Sequence, residues 1–187
     1  MKIGLIRHFE VELNIPSRQW MTPDQIHRWM ADYDGAEVKL GRVDLGGTSW
    51  ARCISSDSPR ARKTAQAIYG GPIEYTPMLR EPALNPIART NLRMPFPFWK
   101  MVLRVAWMTS HKSQLDAKTA FLANVRTFAH EVLPACREDT LVVGHAGFMM
   151  FLRKELLRQG YRGPRFTLPE NGRLYVFESP KANLHSL

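Results

Sequence analysis

Four nitrogen-bearing side chains could do chemistry together in this sequence: Arg7, His8, Arg60 and His145. Arg7 and His8 close a short apolar run. Arg60 stands in the first turn of a helix that follows Ser55-Ser56. His145 comes directly after Thr-Leu-Val-Val-Gly, at the start of another helix. In open α/β sheets, ligands collect at the carboxyl ends of strands. Three strand ends that carry arginine and histidine would therefore converge on one crevice and line it with positive charge. The planar guanidinium fork matches the oxygens of a phosphate, and helix N-termini add backbone N–H donors. No Cys/His or carboxylate spacing forms a metal-binding pattern, so neither a metal nor another cofactor is expected.

The elements that position these groups read as alternating strands and helices. Met1 to Ile6 is a buried-strand pattern, as are Ala51 to Ser56, Ile73 to Tyr75, Thr140 to Gly144 and Leu174 to Glu178. Thr140 to Gly144, apolar through its middle, reads as a central parallel strand. Helices are expected from a Thr22 N-cap to about Tyr33, from Pro59 through Tyr69, over Phe98–Met108, over Asp116–Leu133 with Pro134 closing it, and from Phe148 to about Arg158. Val38 to Trp50 reads as loop and turn. The alternation predicts an α/β layered domain, with no composition break to divide it.

A length of 187 residues and a hydrophobic fraction of 44% suit one domain with a sizeable core. No stretch approaches the ~20 apolar residues of a bilayer span. The first residues become charged too soon for a secretory signal, which predicts a cytoplasmic protein. Cys53 and Cys136 are isolated and read as small core residues. The net charge of +9 points to an anionic partner. Nucleic acid, phospholipid headgroups and small phosphorylated molecules all fit that charge. The basic residues are spread out and no nucleic-acid motif is present, so no nucleic-acid partner is expected, and no membrane partner either. The Phe98–Met108 helix reads as packed over the core, or as a lid or membrane-facing flap.

Four segments resemble the histidine phosphatase superfamily, with its phosphoglycerate mutase-like fold. Arg7-His8-Phe9-Glu10, with Asn14 four residues on, is similar to that family's Arg-His-Gly-Glu-Thr-x-x-Asn signature. Ser55-Ser56-Asp57-Ser58-Pro59-Arg60-Ala61, followed by Thr64-Ala65, resembles its Ser-Ser-x-x-x-Arg-Ala-x-x-Thr-Ala segment. Leu79-Arg80-Glu81 resembles a Leu-x-Glu segment that carries the acid in one large branch. Gly144-His145-Ala146-Gly147 resembles its late Ser/Gly-His-Gly-Gly turn. The order matches across Leu5 to Gly147.

The resemblance implies a three-layer α/β/α sandwich with a mostly parallel central sheet, a small phosphatase, and a role for each residue. His8 would be the nucleophile and form a phosphohistidine. Arg7, Asn14, Arg60 and His145 would hold the phosphoryl group. Glu81 would protonate the leaving oxygen and then help activate water. That role requires a raised Glu81 pKa and predicts an acidic or near-neutral optimum. Two positions depart from the pattern: Phe9 replaces a glycine, and so does Ala146. If the glycine at position 9 served to allow positive φ, the loop must differ here.

The expected activity is a metal-independent phosphomonoesterase acting on a phosphorylated small molecule or a phosphohistidine protein. A phosphoglycerate mutase-type phosphotransferase and a non-catalytic phosphate- or nucleic-acid-binding module are the competing readings. The 85–112 segment is expected to act as an inserted lid within a single 1–187 domain. There Arg89, Arg93, Lys100 and Arg104 are available for a second anionic group of the substrate, or simply form a solvated basic face.

Overall fold

The computed structural model describes residues 1–85, 87 and 91–180. In chain order its elements are β1 (Lys2–Arg7), β2 (Trp20–Met21), α1 (Pro23–Gly35), β3 (Arg52–Ser56), α2 (Pro59–Ile68), β4 (Ile73–Thr76), β5 (Met94–Pro95), α3 (Phe96–Met108), α4 (Leu115–Thr127), α5 (Leu133–Cys136), β6 (Thr140–Gly144), α6 (Ala146–Arg158) and β7 (Leu174–Glu178). Five strands form the central sheet in the order β4-β3-β6-β1-β7. β1, β3, β4 and β6 run parallel, and β7 pairs antiparallel with β1 at one edge. This is the mostly parallel α/β arrangement that the sequence predicts.

Successive strand residues point to opposite faces, and both faces are buried here. Ile3, Leu5, Ile54, Val142, Tyr175 and Phe177 pack with Phe121 and Val125 of α4 and Phe148 and Leu152 of α6. Ile6, Cys53, Leu141 and Val143 pack with Ala61 and Ala65 of α2 and with Trp50. A third cluster stands apart from the sheet. It joins Met21 and Ile26 to Phe96, Trp99 and Leu103, with Trp29, Met30 and Leu84 around them. This cap is built from α1, α3 and the small β2–β5 ladder.

Several helix boundaries differ from the sequence reading, each for a backbone reason. α3 starts at Phe96, two residues early, with Pro95 as N-cap and Pro97 in its first turn. A first-turn N–H has no partner within the helix, so proline costs little there. α6 likewise starts at Ala146 rather than Phe148. The expected Asp116–Leu133 helix does not close at Pro134. A π-helical turn over Phe128–Val132 sends the Leu133 N–H to the Phe128 carbonyl, and the chain stays helical to Cys136. The insertion re-routes the hydrogen bonds just ahead of a proline that has none to give. Arg137, at φ 52°, then ends the run. The β2–β5 ladder was not expected at all, since two residues per strand are too few to show a period. No helix among the described residues is long and apolar enough to cross a membrane.

Candidate active site

The end of β1 pairs with the end of β6, Arg7 opposite Gly144. The His8 N–H donates to the Gly144 carbonyl at 2.9 Å, which brings His8 and His145 together with ring centroids 5.1 Å apart. Both are almost fully buried, at 3% and 0% exposure, and Arg60 beside them is 4% exposed. The β1 end is tied from a second side. The Asn171 side-chain amide donates to the His8 carbonyl at 2.7 Å, and the Gly172 N–H to the Arg7 carbonyl at 2.9 Å.

His8 has one ring nitrogen committed and one directed at the site. Nδ1 donates to the Phe9 carbonyl at 2.6 Å, which leaves Nε2 with a lone pair. The Arg60 Nε–H donates to that lone pair at 3.3 Å. Burial, followed by the repulsion of Arg60 and Arg7, pushes the His8 pKa down to about 3, against the opposing pull of the Phe9 carbonyl. The ring is therefore neutral at ordinary pH, as a nucleophile requires. His145 is also held neutral, chiefly by burial and then by Arg60, His8 and Arg7. Its Nε2 meets the hydroxyls of Ser58 at 2.9 Å and Ser56 at 3.0 Å. Where one of these hydroxyls donates to Nε2, the ring proton sits on Nδ1.

That Nδ1 has no partner. Among the described residues, the buried side-chain nitrogens and oxygens without one are His145 Nδ1, Arg7 Nε and the Trp107 indole nitrogen. The first two lie in this cluster: Arg7 Nε is a donor, and His145 Nδ1 is one when Nε2 accepts from a serine hydroxyl. Unpaired buried donors are rare because leaving one unpaired costs ~1–3 kcal/mol. The other end of Arg7 is anchored by the Pro169 carbonyl at 3.1 Å from Nη1.

Glu81 is brought to the same place. Its Oε1 accepts the Gly147 N–H at 2.7 Å, in the first turn of α6 beside His145. A Cβ at position 147 would lie 2.7 Å from the Glu81 Oε2, so glycine is what lets the carboxyl group approach. Burial raises the Glu81 pKa above 4.5. The Gly147 N–H, Arg60 and Arg7 oppose the rise, and the charge of Asp34 adds to it.

Phe9 keeps an ordinary backbone, since the non-glycine residues at positive φ among those described are Ser110 and Arg137. Its N–H donates to the Thr64 hydroxyl at 2.9 Å. Its ring is buried against Gly172, which has φ +65° and where a Cβ would come within 2.9 Å of the ring. The bulk at position 9 is accommodated by a glycine at position 172.

Asn14 stays outside this cluster. It is exposed and lines an open depression of about 480 Å³ with Glu10, Val11, Glu12, Leu13 and Lys39. Its carbonyl accepts the Trp29 indole N–H at 3.4 Å. Of the four basic residues singled out in the 85–112 segment, Arg93, Lys100 and Arg104 are exposed, and Arg89 lies outside the described residues.

Sequence reading missed Asp34. This last-turn residue of α1 reaches from the cap to Arg60, its Oδ1 accepting from Nη1 at 2.7 Å, and the Tyr33 ring lies 5.4 Å from the same guanidinium. The Asp34-Gly35 pair reads in sequence only as a helix end. Asn171, followed by Gly172, likewise reads in sequence only as a turn. The roles of Ser56 and Ser58 toward His145 depend on a crossover between β3 and β6 that spacing does not reveal.

Fold and cluster together define an α/β protein with arginine, histidine and glutamate side chains gathered at the carboxyl ends of its strands. The chain belongs to the histidine phosphatase superfamily, branch 1, whose family model matches residues 3–184. No curated protein matches it. Among solved structures it resembles the alpha-ribazole phosphatase from Shigella flexneri, at 16% identity and a TM-score of 0.55 over 94% of this chain and 89% of that one. It also resembles mycobacterial glucosyl-3-phosphoglycerate phosphatase with VO3, at 18% identity and 0.54 over 95% and 94%. A third is the phosphoserine phosphatase from Entamoeba histolytica with 3-phosphoglyceric acid, at 16% and 0.52 over 96% and 98%. At these identities the likeness speaks for the shared fold.

Proposed function

We propose that the chain is a metal-independent phosphomonoesterase that works through a phosphohistidine on His8. One observation carries this reading: a neutral, buried His8 turns its Nε2 toward Arg60, among donors on Arg7 and His145 that have no partner. Nε2 attacks the phosphorus of a phosphate monoester and the ester P–O bond breaks. The leaving oxygen takes a proton from Glu81. Water then attacks the phosphohistidine, Glu81 takes back a proton, and inorganic phosphate leaves. Arg7, Arg60 and His145 Nδ1 hold the phosphoryl oxygens as charge moves, the largest contribution in phosphoryl transfer. Asn14 serves at the rim.

Arg60 must change partners on the way. Substrate oxygens take it from Asp34 and from the His8 lone pair, which frees that lone pair for attack. The 85–112 segment acts as a cover whose helix α3 packs on α1, and α1 in turn reaches Arg60 through Asp34. The three phosphatase neighbours are consistent with a hydrolase. The substrate is a phosphorylated small molecule or a phosphohistidine protein. The reaction belongs to the cytoplasm, where the free thiols Cys53 and Cys136 stay reduced.

The test is hydrolysis of an aryl phosphate by wild type and His8→Ala, with and without chelator. Wild type releases phosphate in both conditions, and His8→Ala loses about 10⁴-fold or more. Trapped label on His8 is acid-labile. Activity that survives His8→Ala overturns the mechanism, and loss with chelator overturns metal independence. Conversion of 3-phosphoglycerate to 2-phosphoglycerate without net phosphate release makes the chain a mutase instead. A panel of phosphorylated metabolites and phosphohistidine proteins then finds the substrate.

A further inference from the structure

The outer face of α3 has no use in this mechanism. Phe98, Met101, Val105 and Met108 are each about half exposed or more. Spacings of three, four and three residues put them on one stripe, about 15 Å long at 1.5 Å per residue. Phe96, Trp99 and Leu103 on the opposite side are buried in the cap. The helix is thus apolar on a face that nothing among the described residues covers. Contiguous exposed apolar surface of this kind marks an interaction site.

Charge indicates what covers it. From Pro82 to Leu115 the sequence contains no Asp or Glu, yet carries Arg89, Arg93, Lys100, Arg104 and Lys112. Lys100 and Arg104, four residues apart, run along one edge of the stripe. Both are exposed, and no ion pair engages either among the described residues. Trp20, 65% exposed, is held beside the first turn of α3 by its pairing with Pro95. The chain as a whole is also strongly basic, at +9.

We propose that this face docks on an anionic phospholipid surface. Phe98, Met101, Val105 and Met108 enter the headgroup boundary, and Lys100, Arg104 and neighbouring cations meet lipid phosphates. An apolar stripe edged with Lys and Arg is the pattern of helices that lie in the plane of a bilayer. A second copy of the chain fits less well, because a symmetric contact would bring two acid-free basic patches together. The lack of a spanning helix among the described residues does not bear on a protein that lies on a bilayer surface.

The experiment is sedimentation of the full chain with vesicles of phosphatidylcholine alone, or of equal parts phosphatidylcholine and phosphatidylglycerol, in low and high salt. The chain pellets with the anionic vesicles in low salt, stays in solution with the neutral ones, and is released by high salt. The triple variant F98S/M101S/V105S and the double variant K100E/R104E each bind the anionic vesicles about tenfold or more weakly. These serines replace exposed residues, so the triple variant keeps its thermal midpoint and its aryl phosphatase rate. Trp fluorescence shifts to the blue on binding, and Trp20→Phe removes most of the shift.

Failure of the wild type to pellet overturns the proposal, as does equal binding by the triple variant. A wild-type dimer in ultracentrifugation that the triple variant loses assigns the face to a second copy instead. Capture by poly-glutamate as tight as by the vesicles, and equal for the triple variant, assigns it to acidic protein through charge alone. None of these outcomes depends on the His8 mechanism.

Discussion

The two halves of this molecule hold their residues in different ways. At the strand ends the reactive groups are buried or half-buried and held by many bonds: His8 by Gly144, Phe9 and Asn171, Glu81 by Gly147, Arg7 by Pro169, and His145 by Ser56 and Ser58. The cap is a small separate core with an apolar outer face, and it touches the reactive cluster through Tyr33 and Asp34. Rigid sheet edges fix geometry to fractions of an ångström, which phosphoryl transfer needs. A thin cap on a small core is suited to covering, admitting and docking. If this division is real, substitutions at the strand ends cost turnover or stability, and those in the cap change affinity and location.

The largest effect is expected at Arg60. Arg60→Ala removes the guanidinium that faces His8 Nε2, and kcat/KM should fall ~10³-fold or more. Steady-state kinetics with an aryl phosphate measures this. A loss under tenfold would mean that Arg60 serves the cap contact rather than the phosphoryl group. Next comes a stability contrast between two phenylalanines. Phe9→Ala empties space against Gly172 and should cost about 3–5 kcal/mol in urea unfolding. Phe98→Ala, half exposed on α3, should cost under ~1 kcal/mol. Similar costs for the two would make the cap as tightly integrated as the sheet.

Glu81→Gln separates activity from stability. The folded pKa of Glu81 is raised above 4.5, so folding favours its protonated form. Its contribution to stability is full below pH 4.5 and is lost as pH rises through the folded value. Glutamine keeps an acceptor for the Gly147 N–H and carries no charge. The variant should therefore gain stability over wild type as pH rises from 4.5 to 7, while kcat falls about 10²-fold. In wild type, activity should fall on the alkaline side as Glu81 ionises. On the acid side it should persist toward the His8 value of about 3, as far as the fold survives. A profile that is flat from pH 5 to 9, or one that Glu81→Gln leaves unchanged, removes Glu81 as the acid.

The two halves also differed in how far they could be read from sequence. Thr140–Gly144 and Leu174–Glu178 are strands with the expected limits, because a short apolar run flanked by turn residues permits little else. Thr22 caps α1 with Gln25 reciprocally, a local device visible as Thr-Pro-Asp-Gln. His8, Arg60 and His145 were legible because each follows a strand end in a recognisable segment, and Glu81 only through its Leu-Arg-Glu segment. Asn14 was legible as a motif position, but its exposed place outside the cluster was not. Asp34 was invisible, since its partner lies twenty-six residues away across a helix–helix contact with no periodicity. The first turn of α3 was hidden by its prolines, and the π-helical turn by a proline that reads as a stop.

Asp34 gives the smallest effect and the sharpest test of the division. Its carboxylate holds the Arg60 Nη1 that the phosphoryl group needs, and is itself two-thirds exposed. An ion pair so open to water contributes only ~0.2–1 kcal/mol. Asp34→Asn should therefore tighten inhibition by inorganic phosphate or vanadate a few-fold, by removing a competing anion and its repulsion of a phosphate dianion. The same substitution removes one of the charges that raise the Glu81 pKa. The alkaline limb of the rate should then move to lower pH while kcat at the optimum stays within about two- to threefold. The two readouts come from one side chain and have separate causes, so a merely structural role would not move both. If kcat collapses instead, Asp34 is what aims Arg60 at His8 Nε2. The cap would then be a working part of the catalytic cluster, and the boundary between the two halves would have to be drawn outside α1.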